Sequence, residues 1–200
     1  MTLNQIILLN LLFESIIKNL SVMKKGELII GVLAIISILL NLFLVPGGGF
    51  LSVVFCLTLS VFYFLFSFAL FNNIKLKSLI KNKSTEKIIP LRIVGAVGLG
   101  FAIPEIIIGI LFKIQNYPGA DLYLLVGLII LLIISIVSLV KYLKNKPDFY
   151  IRIFKRVAIY GSLGLIVLLL PSDTISEFKY RNHPEFLENT KDIKELENQR

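Results

Sequence analysis

Hydrophobic residues in this chain come in long blocks, not in the alternation of a half-buried strand or the three-to-four-residue spacing of a surface helix. The blocks run over about 28–45, 50–71, 88–112, 122–142 and 153–170, with polar stretches between them. At about 1.5 Å rise per residue, the 18 residues of 28–45 just span a hydrocarbon core of about 30 Å. The pattern predicts an all-α fold: a polytopic membrane helical bundle of about five transmembrane helices, occupying 28–171. The last block is short, with 14 residues over 157–170 before Pro171. A re-entrant segment and a full crossing both fit that length. Ile151, Ile153 and Phe154 extend it while Arg152, Lys155 and Arg156 can snorkel, which favours the crossing.

The two ends read differently. In 3–22, Asn10, Glu14 and Lys18 stand four apart on an otherwise apolar helix, and Glu14 precedes Lys18 in the favourable i,i+4 order. This stripe predicts an interfacial amphipathic helix within 1–27. Packing against the bundle as a sixth helix is the alternative. Residues 172–200 read as a short polar tail with seven acids and five bases, in which 184–197 has the apolar spacing of one short helix.

Composition supports the membrane reading and narrows the chemistry. A hydrophobic content of 56% and a mean hydropathy of +0.84 exceed what one soluble core hides. The single cysteine, Cys56, excludes an internal disulfide and disfavours a thiolate metal site. A net charge of +8 raises nucleic acid as a partner, but 15 of the 21 Lys and Arg lie in three segments beside apolar blocks. Three are near the N-terminus, six in 75–92 and six in 141–156, whereas the turn at 46–49 has none. That alternation predicts a cytoplasmic N-terminus and, with five spans, a periplasmic C-terminus. The lipid bilayer, and not nucleic acid, is the expected partner.

Small and polar residues inside the spans suggest how the helices meet. Ser52, Cys56, Ser60, Tyr63 and Ser67 form one face of the second span, and Gly31, Ala34, Ser37 and Asn41 one face of the first. The two stripes are expected to meet, because small residues let helix backbones approach closely in lipid. Ala96-x-x-x-Gly100 and Gly98-x-x-x-Ala102 carry the same signal in the third span, which is therefore expected to be buried. Pro104 removes a backbone donor there and is expected to kink the helix.

Glu105 is the one acid within an apolar span. An ionised acid near the centre of a membrane helix costs roughly 2.5–3.5 kcal/mol on insertion scales. Two readings stay open: a proton or cation site, or a carboxyl that is neutral or satisfied and holds a helix pair together. Lys113 lies on nearly the same face but about 12 Å further along the axis, which suits a water-bridged relation better than contact. His183 has no metal-ligating companion. Gly47-Gly48-Gly49 lacks the Lys and Ser/Thr of a phosphate loop, and the glycines of 95–100 sit inside a span. With no nucleophile, base and orienting acid to assemble, neither an enzyme nor a cofactor is expected.

The run Gly109-Ile110-Leu111-Phe112-Lys113-Ile114-Gln115-Asn116-Tyr117-Pro118-Gly119-Ala120-Asp121, continuing to Val126-Gly127-Leu128, resembles the N-terminal hairpin of the GldL family of bacterial gliding-motility and type IX secretion proteins. The likeness covers about residues 105–139 and rests on Gly-x-Leu-Phe-Lys together with Pro-Gly-Ala. It implies a related membrane hairpin, a bacterial inner-membrane location, and partners that are other membrane helices or further copies in an oligomer. In that family the hairpin is thought to turn proton flow into movement. Lys113 matches the family's lysine, but the histidine that follows it is here Asn116, and Tyr117 stands where tryptophan is common. The second-helix glutamate falls near Leu131. Motor activity is therefore not implied, and the expectation is a membrane protein of structural or interaction type.

Overall fold

The computed structural model describes residues 22–72, 90–145 and 148–182. Among them are six helices and no strand: α1 Val22–Leu42, α2 Gly48–Asn72, α3 Pro90–Ile114, α4 Ala120–Asn145, α5 Asp148–Leu169 and the short α6 Ser172–Lys179. The expected all-α membrane bundle is the fold found. The amphipathic stripe of 3–22, the lysine-rich 73–89 and the tail helix over 184–197 lie outside the described residues.

In hydrocarbon every backbone N–H and C=O must be bonded within its own segment, so each apolar block closes into a helix. Four of them, α1 to α4, are long and apolar enough to cross, whereas α5 and α6, bent by 89° at their junction, have the length and apolarity for a crossing only as a pair. The extra cost in α5 is the charge of Arg152, Lys155 and Arg156 in its first half. Helix α5 begins at Asp148, so its 22 residues give the length that 157–170 lacked.

α1–α2 and α3–α4 are two hairpins closed by the same turn. At the end of α1, the Val45 amide donates to the Leu40 carbonyl and the Leu44 amide to that of Asn41. At the end of α3, Tyr117 donates to Phe112 and Asn116 to Lys113. This is the Schellman arrangement, which ends a helix with one left-handed residue. Leu44 at φ 55° and Asn116 at φ 57° supply it, and Gly47 at 83° and Gly119 at 80° supply the second positive φ after each proline. Asn tolerates that conformation; Leu does so at a cost. Pro46 disfavours helical backbone at Val45, so α1 stops at Leu42 although apolar residues continue to Val45.

The hairpin α3–α4 is the hub: α2 and α5 pack on α3, α5 also on α4, and α1 mainly on α2. Close approach fixes it. A methyl placed on Gly127 would lie 2.7 Å from Ile106 Cγ1 and 3.0 Å from the Ala102 carbonyl oxygen, so only glycine lets α4 touch the α3 backbone there. Ile103 and Ile106 are fully buried, whereas Ile129, Leu132, Ile133 and Ile136 on the far face of α4 are exposed, the pattern of a helix with one face in lipid. Helix α3 runs on unbroken through Pro104.

Candidate functional site

Polar groups inside the bundle gather at two levels. The group at the basic end is built on Glu27, one turn and a half into α1. Arg156 of α5 grips its carboxylate with both arms, Nε to Oε1 at 2.8 Å and Nη2 to Oε2 at 2.5 Å. The Tyr63 hydroxyl of α2 donates to the same Oε1. Three helices thus meet on one carboxylate. Tyr160 stands edge-on to Tyr63 at 5.3 Å, and the Arg156 guanidinium sits 4.9 Å above the ring of the fully buried Phe71. One turn earlier on α5, Arg152 Nε donates to the Phe71 carbonyl at 2.9 Å, capping the last turn of α2.

At the turn end, polar side chains gather around the close of α3. Lys113, buried at 2% exposure, pairs with Asp121 at 2.7 Å and donates to the Leu168 carbonyl at the end of α5. Gln115 donates to the Gly49 carbonyl and the Ser52 hydroxyl, and Asn41 donates to that same hydroxyl. Ser176 of α6 donates to Asn116 Oδ1, and the Lys179 ammonium donates to the Ile114 carbonyl. Lys113, Ile114, Gln115 and Asn116 therefore tie the end of α3 to α2, α5 and α6.

The structure does not bring Glu105 and Lys113 together; Lys113 is paired with Asp121 across the turn. Glu105 is half-buried on the stripe of α3 that carries the exposed Phe101. It has no hydrogen bond or ion pair among the described residues. Ser52, Cys56 and Ser60 are buried along α2. Ser60 Oγ is the one buried side-chain polar atom without a partner among the described residues. The α2 stripe divides between two neighbours: Ser52 faces Asn41 of α1, while Ser67 lies against Gly100 of α3. Ala96 is fully buried. Gly31 stays out of the α1–α2 seam, since a methyl there would meet nothing within 4 Å. Among the described residues no group of His, Cys, Asp and Glu could hold a metal ion.

Sequence reasoning missed the Glu27 cluster because it started the first span at Leu28 and left Glu27 in the polar flank. A signal existed: Glu27 and Arg156 are opposite charges at the borders of blocks whose ends share the basic side. It also missed α6, although Pro171 followed by Ser172 and Asp173 is a helix-start pattern.

Lys113, the Pro118-Gly119 turn and the close α3–α4 crossing lie in one segment that can be compared with known families. Residues 96–152 match the family described as the GldL N-terminal domain. The match takes in α3 from Ala96, the turn, all of α4 and the start of α5, and so is wider than the expected 105–139. No curated protein and no solved structure matches the chain. The GldL-like segment includes Glu105, Lys113 and Asp121, whereas Glu27, Tyr63, Arg156 and Tyr160 all lie outside it. The Glu27 cluster is built by residues of α1, α2 and α5 that lie outside the matched segment.

Proposed function

We propose that this chain is a non-catalytic assembly protein of the bacterial inner membrane, in which the neighbouring helices clamp a GldL-like hairpin into a rigid bundle. One observation carries the reading: near the position where the resemblance places the family's second-helix glutamate, Leu131 is buried against Gly161 of α5, 3.3 Å from where a methyl on that glycine would sit. An apolar helix contact occupies the place of a proton carrier. The polar residues of the hairpin's turn are likewise spent on fastening neighbouring helices. In this reading the N-terminus and the basic segments face the cytoplasm, as the distribution of Lys and Arg favours.

A second reading, ion coupling through Glu105, is favoured by a half-buried acid about 13 Å from the turn end of α3 with no partner among the described residues. One pair of measurements separates the two. Glu105→Gln is compared with the parent for proton uptake into liposomes and for cross-linked complexes in native membranes. Equal proton uptake with complexes retained supports the assembly role; proton uptake in the parent that Glu105→Gln abolishes overturns it in favour of ion coupling. Absence of any cross-linked complex in the parent overturns the assembly role as well.

A further inference from the structure

An open groove of about 570 Å³ runs between α1 and α5. Its polarity is graded. Lys24, Arg152 and Lys155 stand at its mouth, with the Glu27/Arg156 pair as its inner step. Beyond that pair the walls are Gly31, Val32 and Ile35 of α1 and Ile159 and Tyr160 of α5. From Lys24 to Ile35 is about 16 Å along the helix axis, close to the depth of one leaflet of a hydrocarbon core about 30 Å thick. The floor is bare at Gly31, where a side chain would find open space. Four cations against one carboxylate line the groove, and that carboxylate is held by Arg156 and Tyr63.

We propose that this groove is a binding site for an anionic diacyl phospholipid of the leaflet at the basic end, with its phosphate between Lys24 and Lys155 and one acyl chain laid over Gly31 along Val32, Ile35 and Ile159. Charge complementarity selects the headgroup, since basic pockets between membrane helices attract anionic lipid. The missing side chain at Gly31 makes room for the chain. A zwitterionic lipid could fill the apolar part but gains nothing from the mouth.

The test uses the full chain in nanodiscs, comparing phosphatidylglycerol with phosphatidylcholine of the same acyl chains by native mass spectrometry and thermal unfolding. Phosphatidylglycerol is expected to be retained preferentially at one lipid per chain and to raise the unfolding temperature. Lys24→Gln with Lys155→Gln lowers that retention by about fivefold per lysine. Lys141→Gln, a lysine exposed on α4 away from the groove, leaves it unchanged. Gly31→Trp fills the groove and removes the preference while the melt in pure phosphatidylcholine stays as in the parent. Ile159→Trp, at another exposed position of the wall, does the same if Gly31→Trp does not fold. Equal retention of the two lipids, an equal loss with Lys141→Gln, preference surviving in both tryptophan variants, or equal stabilisation by inorganic phosphate alone overturns the proposal.

Discussion

Replacing Arg156 by Met keeps much of the apolar stem that lies over Phe71 but strips Glu27 of both guanidinium bonds. The pair is well removed from solvent, with side-chain exposures of 13% for Arg156 and 17% for Glu27. Breaking a buried ion pair from one side costs about 3–5 kcal/mol, because the remaining charge is left uncompensated. The Tyr63 hydroxyl still donates to Glu27, which places the expected loss near the low end, about 3 kcal/mol. That is roughly a 150-fold fall in the folded-to-unfolded ratio at about 1.4 kcal/mol per decade. Glu27→Gln should cost less, about 1–2 kcal/mol, since Arg156 keeps its stacking on Phe71 and can snorkel toward the basic end. The double variant should then recover at least about 1 kcal/mol relative to the sum of the singles. Titration of detergent-solubilised protein with sodium dodecyl sulfate, followed by circular dichroism, measures all three. A loss under about 1 kcal/mol for Arg156→Met, or strict additivity of the pair, would refute the view that this contact clamps α1, α2 and α5.

Three further outcomes can be measured in the same titration. Gly127→Ala should destabilise the hairpin by about 1–3 kcal/mol, because its methyl presses on the α3 backbone, while Gly31→Ala, which meets nothing, should not destabilise. Leu44→Gly should raise stability by about 1 kcal/mol by relieving a left-handed leucine. Lys113→Met should cost about 1–2 kcal/mol, mostly through the buried bond to Leu168, since Asp121 is exposed and can turn to water. Faster hydrogen exchange at the start of α6 should accompany that last change.

Length and hydropathy alone were enough for the helical membrane class. The reason is the solvent: in hydrocarbon a chain has few ways to satisfy its backbone, so an apolar block of sufficient length becomes a helix whatever surrounds it. The Pro118-Gly119 turn and the GldL-like residues around it were legible for a similar reason, since turn geometry and its sequence signals are local. Rotation and neighbour choice are not local. Lys113 could have leaned toward Glu105 on its own helix, and only the closure of the turn set it against Asp121. Gly31 and Gly100 look alike as small residues in a span, yet one floors an open groove and the other lies against Ser67. Glu27 and Arg156 stand 129 positions apart, and nothing along the chain couples them until α1 and α5 pack around the hub. The apolar pattern decides that helices form; which polar side chains meet depends on how those helices turn and cross, and packing between backbones sets that.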